Sequence, residues 1–106
     1  MSLSLENLRK LTPDEKRHLH SLTKKIHRIE EAVAASKPLS ALRELESCLN
    51  AQSARIIGHK SILAPDLELL ALADRLTESF PVSDNVRRIY RSNAAMLSKK
   101  TGQEKR

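Results

Sequence analysis

The sequence predicts an all-α fold, a compact five-helix bundle built from two helical hairpins joined by a short helix. Three observations lead to this prediction. The 106 residues include two glycines and 30% charged side chains, a composition typical of helical domains. Apolar residues recur at spacings of three and four, which is the period of an amphipathic helix. Prolines and capping residues divide these stripes into segments of helical length.

The first predicted helix covers residues 13–35. Thr12 is a suitable N-cap, Pro13 suits the first helical position, and Glu15 completes a capping box with Thr12. Residues 1–12 precede this helix and are predicted to form an N-terminal arm or a short helix. The apolar stripe of the helix consists of Leu19, Leu22, Ile26, Ile29 and Val33.

The sequence SKP at residues 36–38 ends the first helix, and a leucine stripe predicts a second helix over about 39–51. The short break makes these two helices an antiparallel hairpin. A separate short helix is predicted over 53–60, because Ser53 can cap its start and Gly58 can end it in the left-handed conformation.

The last two predicted helices form the second hairpin. Pro65 suits the first turn of a helix over about 65–80. A final helix over about 84–99 begins at a cap provided by Ser83 or Asp84.

The domain organisation follows from these elements. Residues 13–100 form one helical bundle domain, and the polar residues 101–106 are predicted to be a disordered tail. A single cysteine, Cys48, cannot form an internal disulfide, which favours a reducing compartment. No apolar run approaches the length of a membrane span, and no secretory signal is visible. The expected location is therefore intracellular, without membrane association.

Positive charge is concentrated at the two ends of the chain. Residues 9–28 and 81–106 each contain seven Lys or Arg against two acids, whereas residues 29–80 contain five against eight. The formal net charge is +6. This distribution favours acidic partners or nucleic acid. Three of the basic residues, Lys24, Lys25 and Arg28, lie on the polar side of the first helix.

The sequence contains no signal for catalysis, a metal or a cofactor. The four histidines and Cys48 lack the paired spacings of a zinc site. There is no glycine-rich phosphate loop and no nucleophile elbow. We therefore expect a protein that is not an enzyme and has no catalytic, metal-binding or cofactor-binding residues.

The best candidate site is the stretch ESFPVSDNVRR at residues 78–88. Phe80 precedes a proline and is expected to end its helix, either as a core residue or as an anchor for a partner. Val82 lies beyond the proline at the same corner. Three arginines, Arg87, Arg88 and Arg91, follow at the start of the last helix, where the helix dipole disfavours cations.

Three features together resemble a known family. They are ALREL at residues 41–45, FPVSDNV at 80–86 and a last helix with Tyr90. They resemble the integrase-binding domains found in lens epithelium-derived growth factor, which are akin to the N-terminal domain of elongation factor TFIIS. The resemblance implies a right-handed five-helix bundle that binds short disordered motifs of nuclear transcription and chromatin proteins. Phe80 and Val82 match the family's pocket-lining Phe and Val.

The sequence therefore predicts a non-catalytic adaptor domain for short, partly acidic motifs of nuclear proteins. Phe80 and Val82 would be the apolar anchors. The alternative is a small basic domain that binds nucleic acid non-specifically, as a monomer or a dimer, and a third possibility is an oligomerisation subunit. The oligomeric state and the partner are left open. The residues expected to attract acidic groups are Arg87, Arg88, Arg91, Lys24, Lys25 and Arg28.

Overall fold

The computed structural model describes residues 11–104, with side-chain environments for 11–99, and these residues form four helices. They are α1 (Pro13–Ala34), α2 (Pro38–Ile57), α3 (Ala64–Ser79) and α4 (Asp84–Glu104). The all-α class is confirmed. The prediction of five helices, whether from the apolar pattern or from the family resemblance, is wrong for the described residues. Residues 1–10 of the predicted N-terminal arm lie outside them.

The prediction divided residues 39–60 into two helices. In the structure there is one continuous helix here, α2, which ends at Ile57. No proline or glycine stands between Pro38 and Gly58, and Ser53 lies inside α2 rather than capping a new helix. Gly58 does end α2, but its φ is −80°. The left-handed conformation belongs instead to His59, with φ 57°.

The predicted start of α1 is confirmed. The Thr12 backbone N–H donates to Glu15 Oε1 at 3.0 Å, and the Glu15 N–H donates to Thr12 Oγ1 at 3.1 Å. These reciprocal bonds satisfy two donors that a helix start otherwise leaves free. At the other end, Ser36 takes a φ of 60°, and the Lys37 N–H donates to the Ala32 carbonyl at 2.8 Å. This tight turn leads directly into α2.

The corner between α3 and α4 also follows its sequence signals. Phe80 has extended backbone angles at the C-cap of α3, as expected for a residue that precedes proline. Ser83 is the cap of α4, because its Oγ accepts the Val86 N–H at 3.2 Å. The helix continues to Glu104, so residues 101–104 belong to α4 rather than to the predicted tail.

The helices pack around a core of leucine, isoleucine, valine and alanine. α2 and α3 each contact all three other helices, while α1 and α4 make the least contact of any two helices in the described chain. α2 and α3 therefore hold the bundle together, and α1 and α4 contact each other only slightly. No helix within residues 11–104 is long and apolar enough to cross a membrane. The core cluster contains Leu22, Ile26, Ile29, Ala41, Leu45, Cys48, Leu49, Leu69, Leu72, Ala73, Leu76 and Val86.

Candidate functional site

The two predicted apolar anchors are both half-buried. Phe80 and Val82 pack against the core cluster while keeping part of their surface exposed. Phe80 can therefore serve as a core residue and as a partner anchor at the same time. Phe80 both packs against the core cluster and lines a groove.

This groove lies between the C-terminal part of α1 and the C-terminal part of α3, with a volume of about 400 Å³. Its lining is largely apolar and includes Phe80. Val82 is not part of the lining. The lining residues are Glu30, Val33, Ala34, Leu72, Arg75, Leu76, Ser79 and Phe80. We call this feature the Phe80 groove.

An exposed ion pair spans the rim of the Phe80 groove. Arg75 Nη2 lies 3.7 Å from Glu30 Oε2, and the two side chains are 68% and 50% exposed. Exposed pairs of this kind contribute little to stability. A partner can therefore displace it at small cost, and each freed charge can then bind an opposite charge on the partner.

The arginines of α4 do not line the Phe80 groove, contrary to the grouping expected from their sequence proximity to Phe80. All three are exposed. Arg88 Nη2 donates to Asn85 Oδ1 at 2.6 Å, and Asn85 Nδ2 donates to Glu46 Oε2 of α2 at 2.7 Å. Arg87 and Arg91 have no carboxylate within ion-pair distance among the described residues.

The basic residues of α1 also separate in the structure. Lys24 and Arg28 are exposed, whereas Lys25 is half-buried and lines a different cleft, between α1 and α2. The two groups of basic residues belong to α1 and α4, the two helices that make the least contact with each other. Neither group of basic residues lines the Phe80 groove.

A buried polar network, which the sequence analysis missed, connects α1, α2 and α3. The carboxylate of Asp66 is fully buried. Asp66 Oδ2 accepts the Leu63 N–H at 2.9 Å, and His18 Nε2 lies 3.2 and 3.3 Å from its two oxygens. Gln52 Nε2 donates to the Asp66 backbone carbonyl at 3.0 Å. Such partners are what a buried carboxylate requires.

Asn93 extends this network to α4. Its Nδ2 donates to Gln52 Oε1 at 3.1 Å and to the Leu49 carbonyl at 3.0 Å. Gln52 and Asn93 are both buried. In the sequence, Asn93 lies among the apolar residues of the last predicted helix. Its hydrogen-bond partners are more than forty residues away, so no local pattern identifies them. We call the set His18, Gln52, Asp66 and Asn93 the polar network.

Cys48 is the one cysteine of the chain, and its thiol is buried. Burial raises the pKa of this thiol to about 11, and the nearby charge of Glu44 adds to the increase. The thiol is therefore protonated at neutral pH, and a protonated thiol is a poor nucleophile. Within the described residues, no three His, Cys, Asp or Glu side chains are placed to hold a metal ion.

Comparison with known proteins identifies no relative of this chain. No protein-family model, no curated protein and no solved structure matches it.

Proposed function

We propose that this chain is a non-catalytic interaction domain whose Phe80 groove binds a short segment of another protein. The observation that supports this most directly is the groove itself. It combines the apolar side chains of Val33, Leu72 and Leu76 with a half-buried phenylalanine. Partly exposed aromatic and aliphatic side chains in a concave surface are the usual anchors of peptide recognition.

The side chains that line the groove indicate which residue types the bound segment would contain. An aliphatic or aromatic side chain would lie against the apolar lining beside Phe80. An acidic residue would pair with Arg75 once the Arg75–Glu30 contact opens, and the net charge of +6 attracts acidic segments over longer distances. The partner is therefore a short, partly acidic segment with at least one large apolar residue.

The resemblance to integrase-binding domains narrows this proposal further. On this resemblance we propose that the partner is a nuclear transcription or chromatin protein and that the chain acts in the nucleus. These two parts of the proposal rest on the motif FPVSDNV at residues 80–86 and on ALREL at 41–45. Val82 does not line the groove, and its part in this proposal is to pack against the same core cluster as Phe80.

A second candidate function is non-specific binding of nucleic acid by α4. It is favoured by Arg87 and Arg91, which are exposed, one turn apart, and without an ion-pair partner in the described chain. Phosphate contacts of this kind need no aromatic side chains. Arg87 and Arg91 lie outside the Phe80 groove, so substitutions can separate the two functions.

The substitution Ala34→Arg tests the groove without removing a core contact. Ala34 is exposed and lines the groove, so the arginine fills the binding surface. Ala71→Arg is the matched control, because Ala71 is also exposed and helical but lies outside the groove. The probes are twelve-residue peptides selected from a random library by the unaltered chain, with affinity measured by fluorescence anisotropy.

We expect Ala34→Arg to weaken peptide binding by about tenfold or more, and Ala71→Arg to leave it unchanged. The selected peptides should share a large apolar residue and at least one acid. Equal affinities for the two variants would rule out the groove. A mixed-sequence oligonucleotide is titrated in parallel, and oligonucleotide binding that weakens steeply with salt, together with no enriched peptide, would favour the second candidate.

A further inference from the structure

The ion pair of the Phe80 groove joins the two helices that form it. Glu30 belongs to α1 and Arg75 to α3, and both residues line the groove. Among the described residues, this is the only ion pair between an arginine or lysine and a carboxylate that connects two helices. A segment bound in the groove is therefore flanked by a carboxylate from one helix and a guanidinium from the other.

Binding of a segment changes the surroundings of this pair. Both side chains are largely exposed, so water solvates their charges in the free chain. A bound segment displaces part of this water, and a charge that loses water without gaining an opposite charge opposes binding. Each of the two charges then needs a partner, either from this chain or from the segment.

Arg75 has a second carboxylate near it on its own helix. Residues three or four positions apart are neighbours on a helix surface, and Glu78 follows Arg75 by three positions. Glu78 is also exposed. When the contact with Glu30 opens, the Arg75 guanidinium can therefore approach Glu78 as well as an acid of the segment.

Glu30 has no such alternative on α1. The positions three and four residues away from it contain no lysine or arginine; they are Ile26, His27, Val33 and Ala34. Arg75 is also the one cation within ion-pair distance of Glu30 in the part of the chain that the structure describes. When the pair opens, Glu30 is therefore the charge that depends on the bound segment.

We propose that the segment bound in the Phe80 groove carries a lysine or arginine that pairs with Glu30, in addition to its large apolar residue and its acid. Glu30 is then a specificity-determining residue, which disfavours segments whose charged residues are all acidic. Val33 and Ala34 line the groove one turn after Glu30, and the aliphatic part of a long basic side chain can pack on such residues. This inference rests on the function proposed for the groove and adds one requirement to it.

The test uses the full chain and the twelve-residue peptides that the unaltered chain selects from the random library. In the tightest-binding peptide, each lysine or arginine is replaced by methionine, one at a time. Affinity is measured by fluorescence anisotropy for the unaltered chain, Glu30→Gln and Glu31→Gln. Glu31→Gln is the matched control, because Glu31 is also exposed but does not line the groove. Circular dichroism verifies that each variant is folded.

We expect one of the peptide replacements to weaken binding to the unaltered chain and to Glu31→Gln by about fivefold. The same replacement should change binding to Glu30→Gln by less than about twofold, because that variant has already lost the carboxylate and the two changes do not add. A selection repeated with Glu30→Lys should enrich peptides that carry a second acid in place of the base.

Two sets of results separate this inference from the function on which it rests. Selected peptides without a lysine or arginine, or replacements that weaken binding to Glu30→Gln as much as to the unaltered chain, would overturn the inference. The groove would remain the binding site in that case if Ala34→Arg still weakened binding. If no peptide were enriched, or if Ala34→Arg bound the peptides as well as the unaltered chain, the proposed function would fail and this inference with it.

Discussion

The two ends of the bundle are stabilised in different ways. At one end, the polar network joins side chains from all four helices through buried hydrogen bonds. At the other end, Phe80 and Val82 pack on an apolar core, and the polar contacts there, such as Arg75–Glu30, lie at the surface. We call these the network end and the groove end.

The difference concerns how strictly each end defines its geometry. Buried hydrogen bonds require particular distances and directions, and an unmatched buried polar group is destabilising. Apolar packing is less directional and tolerates rearrangement of side chains. The network end therefore fixes the arrangement of the four helices, which leaves the groove end free to present a partly exposed apolar surface.

The largest expected effect is at the network end. Asp66→Ala removes the acceptor for the Leu63 N–H and for His18, and the buried donors left behind have no replacement. We expect the free energy of unfolding to fall by about 3 kcal/mol, measured by urea denaturation. Asp74→Ala is the control: Asp74 is exposed and accepts one bond from Tyr90, so the loss should stay below about 1 kcal/mol. Equal losses of unfolding free energy for Asp66→Ala and Asp74→Ala would contradict a strongly constrained network end.

A smaller loss is expected from Phe80→Ala at the groove end. Because Phe80 is half-buried, we expect its truncation to lower the free energy of unfolding by about 2 kcal/mol, less than for a fully buried phenylalanine. Leu67→Ala provides the control, since Leu67 is 57% exposed and should change stability little. If Phe80→Ala destabilised the chain more than Asp66→Ala, the groove end would be the more constrained one.

The smallest effect is expected from a surface polar contact. The Tyr90 hydroxyl donates to Asp74 Oδ1 at 3.0 Å, so Tyr90→Phe should cost about 0.5 kcal/mol at neutral pH. Burial raises the pKa of Tyr90, and the bond to Asp74 and the charges of Asp74 and Glu78 act in the same direction.

This pKa change gives the substitution a distinct pH dependence. A raised pKa in the folded state favours the protonated phenol, so its stabilising effect is complete below the ordinary value of about 10 and is lost as pH rises through the folded-state pKa. Above pH about 10, the unaltered chain should lose stability faster than Tyr90→Phe in urea denaturation. Parallel pH profiles would contradict this.

Local signals in the sequence predicted the helix boundaries well where a cap or a proline acts directly. The capping box at Thr12 and the helix stop at Phe80 are examples. The same reasoning failed at Ser53, because serine at a helix start and serine inside a helix look alike in sequence. In the structure, the adjacent Gln52 is buried and bonded to Asp66 and Asn93, and these tertiary contacts favour a continuous α2.

The candidate site was predictable only in part, because its geometry depends on which helices are neighbours. Phe80 was identified from the scarcity of aromatic residues and the following proline. Its groove partner Val33 belongs to α1, and no local pattern reveals that α1 packs beside α3. For the same reason, Arg87 appeared close to Phe80 in sequence although it does not line the groove.

The continuity of α2 has a consequence for cooperativity. This helix contacts each of the other three helices, and through Gln52 it carries the middle of the polar network. Detaching α3 would leave Gln52 Nε2 without its acceptor, and detaching α4 would leave Gln52 Oε1 without its donor. We therefore expect the four helices to unfold together rather than one at a time.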